Sequence, residues 1–381
     1  MLVKVAIVSS PISLISLPVT AIVPLQPKQF SSENFLISIN AKLDRKQDNR
    51  EQESAEELVW KGMERILQRD FKGAIDKFNQ AIAIDPDHAP AYLNRGVAYG
   101  ALQDYKRAIS DFNSVISLDP DNAPAYYNRG IVYHNLKEYQ KALADCNKAV
   151  FLDPDNAPAY MSRGNIYYVL KEYQKALVDY NKAISLDSEY AKAYYNRGTT
   201  YAVLQEHQKA ISDFNSVISL APDHAPVYYH RGWAYYESKE YQKAIEDFSQ
   251  SISLNPQDAE AYISRGNVYR DLQQYQNAIA DYTKVIELAP DRADIYVSRG
   301  NIYYELQQYQ NALADYNQAI EIDTNYGFAY YSRGLLYDLM EDREKALADL
   351  EKAVRLVCQQ SSLKDCQKAQ EDLRIIQTPG N

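Results

Sequence analysis

Residues 89–122 read APAYLNRGVAYGALQDYKRAISDFNSVISLDPDN. Ala89 to Leu102 and Tyr105 to Leu118 each carry apolar residues three and four positions apart, which is the helical period. The break falls at Gln103-Asp104. Pro120 stops the second segment, because proline disfavours helix before it and donates no backbone hydrogen bond. This stretch therefore predicts a hairpin of two helices.

The hairpin recurs at a fixed interval along the chain. Eight Arg-Gly pairs end at glycines spaced 34 residues apart, from Gly96 to Gly334, and the same interval before Gly96 reaches Gly62. A period of this size indicates stacked units, none of which buries its apolar face alone. With the glycine as position 8, repeats 1 to 9 begin at Ala55, Ala89, Ala123, Ala157, Ala191, Ala225, Ala259, Ala293 and Gly327.

Small residues recur at the positions where two helices would cross. Position 8 is Gly and position 20 is Ala in all nine repeats, which lets the helix axes approach closely. Positions 4 and 11 are Tyr in eight repeats, and we expect these tyrosines to fill the space that the small residues leave. The chain has 34 tyrosines against 9 phenylalanines, and this periodic use explains most of that excess.

The shared positions resemble a known repeat. In repeat 2 they are Tyr92, Gly96, Tyr99, Ala108, Phe112, Val115 and Pro120. The pattern resembles the tetratricopeptide repeat over residues 55–360. The resemblance implies an all-α, right-handed α-solenoid of antiparallel helix hairpins, whose first helices line a concave groove. Repeat 1 departs with Leu58 and Arg65 in place of tyrosines, and repeat 9 has Cys358 in place of proline.

Positions 7 and 23 carry opposite charges in the same eight repeats. Repeat 1 has Lys61 and Lys77 at these positions and so lacks the Arg and the Asp together. Since the positions face each other across a hairpin, we expect an Arg-Asp ion pair in each repeat; two independent surface charges are the alternative. The predicted pairs are Arg95-Asp111, Arg129-Asp145, Arg163-Asp179, Arg197-Asp213, Arg231-Asp247, Arg265-Asp281, Arg299-Asp315 and Arg333-Asp349.

The N-terminal residues have the composition of an export signal. Residues 1–21 combine an early Lys4, an apolar run and a small-residue cleavage candidate at Ala21, and residues 22–54 read as a polar, disordered tether. The sequence thus predicts an exported protein, periplasmic or associated with the cell envelope. A retained anchor remains open, as does a cytoplasmic protein if residues 1–30 are not a signal.

The C-terminal residues 361–381 predict a capping helix and tail. Leu363, Ala369, Leu373 and Ile376 share one helical face, and Ser362 with Asp365 has the spacing of a capping box.

Two cysteines stand at the junction of repeat 9 and this helix. Only seven residues separate Cys358 from Cys366, so a turn can bring them within disulfide distance. Such a bond would persist in an exported protein and stay reduced in the cytosol. Two unpaired thiols are the alternative.

The family resemblance places positions 2, 5, 9, 12 and 13 on the concave face. Aromatic and Asn-rich surfaces suit recognition, because Tyr offers contact area with little rotamer entropy to lose. We therefore expect an exposed, partner-binding groove; a plainer interpretation is that Tyr is a filler copied when repeats duplicated. The predicted groove residues are Tyr127, Met161, Asn165, Tyr168, Tyr195, Tyr229, Trp233, Tyr236, Asn267, Asn301, Tyr304 and Tyr331.

Several functional classes are disfavoured. No phosphate loop or nucleophile elbow occurs, so we expect neither an enzyme nor a cofactor. We expect no metal site: the three cysteines are badly spaced for zinc, and His224 and His230 are interpreted as solvated. The net charge of -10 opposes nucleic acid. Positions 5 and 6 lack the Lys and Arg of a carboxylate clamp, which excludes acidic chaperone tails.

These observations favour a non-catalytic scaffold that binds an extended peptide or protein segment. Two alternatives remain open: an accessory subunit that recruits substrates for a separate enzyme, and single-stranded nucleic-acid binding by stacking on tyrosines.

Overall fold

The computed structural model describes residues 53–361 and 363–378, and all regular structure in these ranges is α-helical. The chain divides into two compact units: unit 1 ends at Ala193 and unit 2 begins at Tyr194. The predicted signal peptide, most of the tether and Ser362 lie outside the described residues.

Nineteen helices occur within the described ranges. In unit 1 they are α1 (Ala55–Leu67), α2 (Phe71–Ile84), α3 (Ala89–Ala101), α4 (Tyr105–Leu118), α5 (Ala123–Asn135), α6 (Tyr139–Leu152), α7 (Ala157–Val169) and α8 (Tyr173–Leu186). The unit boundary falls in α9 (Ala191–Val203). In unit 2 there follow α10 (His207–Leu220), α11 (Ala225–Glu237), α12 (Tyr241–Leu254), α13 (Ala259–Asp271), α14 (Tyr275–Leu288), α15 (Ala293–Glu305), α16 (Tyr309–Ile322), α17 (Gly327–Leu339), α18 (Arg343–Gln360) and α19 (Leu363–Gln377).

Each repeat is an antiparallel helix hairpin, which confirms the all-α solenoid architecture. Odd-numbered helices up to α17 are the first helices and even-numbered ones the second. The turn between them places position 15 in the left-handed region in all nine repeats, with φ between 58° and 62°. The amide of position 16 then reaches back to the carbonyl of position 11, as in Asp104 N to Tyr99 O at 2.8 Å. This bond closes the first helix as a Schellman-type cap.

A ring at position 24 occupies the crossing point of the two helices. A Cβ atom added to Gly164 would lie 2.7 Å from a ring carbon of Tyr180, so glycine is required there. Tyr180 and its equivalents, such as Phe112 and Tyr282, are essentially inaccessible. The expectation that the tyrosines of positions 4 and 11 fill this space is therefore wrong.

Those tyrosines instead flank the arginine of position 7. The guanidinium of Arg299 lies 5.8 Å from the ring of Tyr296 and 5.9 Å from that of Tyr303, within cation-π range. Most of these rings are half-buried. Tyrosine suits the position because the ring meets the cation while the hydroxyl reaches the surface.

All eight predicted Arg-Asp pairs are present and bidentate. In repeat 4, Arg163 donates from Nε to Asp179 Oδ2 at 2.8 Å and from Nη2 to Oδ1 at 2.7 Å. The Asp side chains are 3–11% exposed and the Arg side chains 16–19%. These pairs are partly desolvated, and burial raises the pKa of Asp213, Asp247 and Asp281 despite the adjacent guanidinium.

The same arginines also join neighbouring repeats. Within each unit, Nη1 donates to the residue at position 25 of the preceding repeat, as in Arg163 to Asn147 Oδ1 at 3.0 Å. The acceptor can be Asn, Ser or Thr: Arg265 bonds Ser249 Oγ and Arg299 bonds Thr283 Oγ1, both at 2.9 Å. Within each unit, the arginine thus ties the two helices of its own hairpin to the hairpin before it.

The capping helix packs on repeat 9. Ala369 is buried, and Leu373 and Ile376 pack against the core that contains Tyr331 and Leu350. Leu363 is 73% exposed, so its assignment to the buried face is wrong. It lies at the first residue of α19, before the helix reaches repeat 9.

A disulfide bond joins α18 to the capping helix. Cys358 and Cys366 are bonded, with their Cα atoms 4.5 Å apart. The third cysteine, Cys146, is a free, buried thiol at position 24, and burial raises its pKa to about 12.

None of the helices in the described ranges combines the length and apolar composition needed to span a bilayer.

The Arg-Asp pairs make a quantitative prediction. Replacing Arg163 with Met leaves the Asp179 carboxylate buried without its partner, which should lower the free energy of unfolding by about 3–5 kcal/mol. Urea denaturation followed by circular dichroism measures this change.

Lys175→Met is the matched control, because it breaks an exposed ion pair with Glu172 in the same hairpin and should cost at most about 1 kcal/mol. Arg163→Met combined with Asp179→Leu should recover much of the loss. Equal effects for Arg163→Met and Lys175→Met would contradict the assignment.

Candidate functional site

The residues predicted at position 5 are buried. Tyr127, Met161, Tyr195 and Tyr331 are 3–6% exposed, and Tyr229 is half-buried. The expectation that these position-5 residues line an exposed groove is therefore wrong. Burial also raises the pKa of Tyr127 to about 12, so its hydroxyl stays protonated and neutral.

Burial at position 5 has a simple cause, because the next hairpin covers it. The ring of Tyr195 lies 5.5 Å from that of His230, at position 6 of the following repeat. At the end of unit 2 the capping helix takes the place of a further repeat, and Tyr331 donates a hydrogen bond to Asp372 of α19. Position 5 thus belongs to the interface between repeats.

His230 is half-buried among aromatic rings, so its interpretation as solvated is wrong. Its ring lies among Tyr195, Phe214 and Tyr229, at centroid distances of 5.4–6.2 Å. Burial lowers the pKa of His230 to about 4. His224, in the inter-repeat loop, is exposed. Within the described residues no three His, Cys, Asp or Glu side chains are disposed to hold a metal.

The asparagines at position 9 are tied to the position-24 tyrosines. Tyr282 donates its hydroxyl hydrogen to Asn267 Oδ1 at 2.7 Å, and Tyr316 does the same to Asn301 at 2.8 Å. In unit 1, Tyr180 bonds Asn165 at 2.9 Å. These asparagines therefore have a structural role that the groove prediction missed.

The sequence carries a signal for this pairing. Position 9 is Asn in the three repeats that have Tyr at position 24, whereas repeats with Phe at position 24 have Met63, Val97, Thr199 or Trp233 at position 9. A buried phenol needs an acceptor and a phenyl ring does not. Comparing the two positions across repeats identifies the pair.

Asn165 is 8% exposed, and its amide also donates to Met161 Sδ. It belongs to the core of unit 1. Asn267 and Asn301 are half-buried, and their Nδ2 atoms bond no other described residue. Because the tyrosine fixes the carbonyl, the planar amide of each holds its NH2 group in a set orientation.

The position-12 tyrosines pack on the start of the second helix of their own hairpin. Tyr168, Tyr236 and Tyr304 have ring centroids 5.5 Å, 5.7 Å and 6.1 Å from the position-17 tyrosines Tyr173, Tyr241 and Tyr309. All three position-12 rings remain half-buried, with one side accessible. Burial raises the pKa of Tyr168 and Tyr304.

The remaining predicted residues of unit 2 share one surface with residues that the sequence prediction missed. Tyr236 donates to Asp271 Oδ2 of the next repeat at 2.6 Å, and the ring of Trp233 lies 5.4 Å from that of Tyr236. Asp271 also accepts from Arg270. We name this surface the first-helix face; it consists of Trp233, Tyr236, Glu237, Asn267, Arg270, Asp271, Asn301, Tyr304, Glu305 and Asp338.

The repeats match models of a known protein family. Models described as "Tetratricopeptide repeat" match residues 89–122, 123–156, 191–224, 225–258 and 329–356. A model described as "TPR repeat" matches 66–103, 164–205, 266–307 and 300–340. No curated protein matches the chain significantly.

Among solved structures, the MamA protein is 28% identical, with a TM-score of 0.41 over 45% of this chain and 94% of its own. YrrB, described as a TPR protein with an unusual peptide-binding site, is 26% identical, with a TM-score of 0.43 over 48% of this chain and 95% of its own. A tetratricopeptide repeat protein from Parabacteroides merdae is 21% identical, with a TM-score of 0.47 over 65% and 98%.

The Asn-Tyr pairs can be tested by a double-mutant cycle in repeat 7. Asn267→Val leaves the buried hydroxyl of Tyr282 without an acceptor and should cost about 1–3 kcal/mol of unfolding free energy. Tyr282→Phe removes the hydroxyl itself. In the Tyr282→Phe protein, adding Asn267→Val should lower the free energy of unfolding much less. The coupling energy between the two substitutions should be at least about 0.5 kcal/mol.

Chemical denaturation of the four proteins gives the coupling energy. Repeat 8 contains the same pair, Asn301 and Tyr316, and so provides a second, independent cycle. Repeat 6 cannot be used because it has Trp233 and Phe248 at these positions. Strictly additive effects in both repeats would contradict a structural role for these asparagines.

Proposed function

The chain belongs to the tetratricopeptide repeat family, a protein-interaction fold, and we propose that it is a non-catalytic scaffold that binds an extended peptide or protein segment across the first-helix face of unit 2. Repeats 6 to 9 supply this face. The buried position-5 residues take no part in binding.

The observation that carries the proposal is the pair of oriented amides. Asn267 and Asn301 occupy the same position in successive repeats, and each offers an NH2 group whose carbonyl oxygen is already bonded to a buried tyrosine. An extended segment displays backbone carbonyls along its length, which are acceptors for such donors. Preorganised donors favour affinity because little conformational entropy is lost on binding.

Aromatic side chains beside these amides supply the apolar contact. Trp233, Tyr236 and Tyr304 are half-buried, so each is held by its own hairpin and still presents ring surface. Rigid aromatic rings with a polar edge are the residues that most often dominate binding energy at protein interfaces. Amide donors and aromatic anchors on one face suit a peptide better than a small molecule.

We place the scaffold in the cell envelope. This part of the proposal rests on the apolar, signal-like residues 1–21 and is supported by the Cys358-Cys366 bond, since structural disulfides persist in oxidising compartments.

Partner binding should depend on the aromatic rings of the first-helix face. Twelve-residue peptides selected from a random display library against the full chain should lose at least about tenfold in affinity on the Trp233→Ala/Tyr304→Ala protein, because interface aromatics typically contribute more than 1 kcal/mol each. Fluorescence anisotropy measures the change, and circular dichroism checks the helix content.

The control is Phe151→Ala, which removes a 75% exposed aromatic from a second helix in unit 1 and should leave binding unchanged. Peptides that lose affinity equally on both variants, or a library that yields no binder, would contradict the proposed site.

Export makes a separate prediction about the thiols. Chain isolated from the envelope fraction and denatured without reductant should expose one titratable thiol, that of Cys146, because Cys358 and Cys366 are bonded. After reduction three thiols should titrate. Reduction also opens the loop of about nine residues that the disulfide closes, which should lower the free energy of unfolding by about 2.5 kcal/mol. Residues 28–381 with an added Met, produced in the cytosol, provide the reduced control. Three free thiols in the envelope protein would argue against export.

A further inference from the structure

Negative charge is unevenly distributed among the first helices. Those of repeats 2 to 5 contain no carboxylate, although they share the scaffold residues of the other repeats. The first helices of repeats 6 to 9, all in unit 2, contain six: Glu237, Glu260, Asp271, Asp294, Glu305 and Asp338. The difference lies on the same helices that carry the oriented amides and the aromatic rings.

Three of these six carboxylates are engaged within the protein. Arg292 binds both Glu260 and Asp294 at 2.8 Å, at the N-terminal ends of α13 and α15. Asp271 accepts hydrogen bonds from Tyr236 and Arg270. Their charges are therefore largely compensated by groups in unit 2.

The other three are exposed and unpaired. Glu237, Glu305 and Asp338 form no side-chain hydrogen bond or ion pair with any described residue, and all three are exposed. By contrast, the half-buried carboxylates just before two second helices of unit 2 do have partners: Glu240 pairs with Lys243 and Asp342 with Lys345. The first-helix face thus carries uncompensated negative charge along the edge where the first helices end.

We propose that the segment bound on the first-helix face is basic, with Lys or Arg at about every third residue. This inference rests on the proposed function and names the chemistry of its partner. The spacing follows from geometry: helices pack about 8–10 Å apart, and an extended chain advances about 3.3 Å per residue. A side chain three residues further along therefore reaches the next repeat.

The aromatic rings fit the same partner. The exposed ring surface of Trp233 and Tyr304 lies on helices that end in Glu237 and Glu305, so a Lys or Arg side chain can lie over a ring while its charge meets a carboxylate. The two features are close in space, because the carboxylates of Glu305 and Asp338 add to burial and Tyr309 in raising the pKa of Tyr304. Backbone carbonyls of the segment meet Asn267 and Asn301.

Nucleic acid does not suit this face. Its phosphates would meet three unpaired carboxylates, whereas nucleic-acid affinity comes from neutralising phosphates with Lys and Arg. Only Arg270 is cationic on the face, and Asp271 binds it.

The test uses defined peptides and the full chain. The probe is a peptide of four Lys-Ser-Gly triplets, labelled with fluorescein at its N-terminus and amidated at its C-terminus, and it is compared with the same peptide carrying Gln or Glu for Lys. Fluorescence anisotropy should show the Lys peptide binding at least about tenfold more tightly than the Gln peptide, and the Glu peptide weakest. Glu237→Gln/Glu305→Gln/Asp338→Asn should weaken the Lys peptide roughly tenfold, since each exposed ion pair contributes a factor of about 1.5 to 5.

A charge-matched variant controls for net charge. Asp223→Asn/Asp291→Asn/Glu321→Gln removes three exposed carboxylates outside the first-helix face and should leave binding of the Lys peptide within about twofold. Equal losses in both triple variants, or equal binding of Lys and Gln peptides, would overturn the inference.

The outcomes separate this inference from the proposed function. If library peptides that depend on Trp233 and Tyr304 are neutral or acidic, the scaffold function stands and the basic partner is wrong. If no peptide binds this face, both are wrong. Binding of a fluorescein-labelled oligothymidylate more tightly than the Lys peptide would replace the peptide partner with nucleic acid.

Discussion

The guanidinium of position 7 is the interaction on which the architecture depends. It forms two hydrogen bonds to the Asp of its own hairpin and, within each unit, a third to position 25 of the preceding hairpin, while two tyrosines flank it, as around Arg95. A planar, always-charged group with five donors can satisfy all these partners at once, which an ammonium cannot. The residues at positions 4, 7, 11 and 23 are therefore one unit, and repeat 1 lacks the Tyr, Arg, Tyr and Asp of these positions together.

The fold could be predicted from sequence because its determinants lie within one repeat. The 34-residue period, the glycine under the position-24 ring and the ion pair between positions 7 and 23 each link residues that are close along the chain. The bond to position 25 was missed for a physical reason: the arginine needs only an acceptor oxygen there, and Asn147, Ser249 and Thr283 all provide one. Because several residue types meet this requirement, position 25 is not the same residue in every repeat.

The candidate site was predicted less well, because exposure depends on what covers a residue. The position within the repeat correctly predicts that Tyr127 and Tyr195 lie on first helices. It does not predict that the next hairpin covers them. Asn267 was assigned to the face for its chemistry, and it does lie there, yet its carbonyl is bound by Tyr282. The predicted residues that do lie on the first-helix face are at positions 9 and 12 of repeats 6 to 8, and each of them is half-buried.

The repeats differ most at positions that the scaffold does not constrain. Positions 8 and 20 are the same in all nine repeats, positions 4, 7, 11 and 23 are the same in repeats 2 to 9, and most position-5 residues are buried under the next repeat. Positions 12 and 13 have no such obligation, so their chemistry can change without loss of the fold. In unit 2 they are Tyr236 and Glu237, then Arg270 and Asp271, then Tyr304 and Glu305, whereas repeat 2 has Gly100 and Ala101. Variation at positions that the scaffold leaves unconstrained is where a repeat protein distinguishes one partner from another.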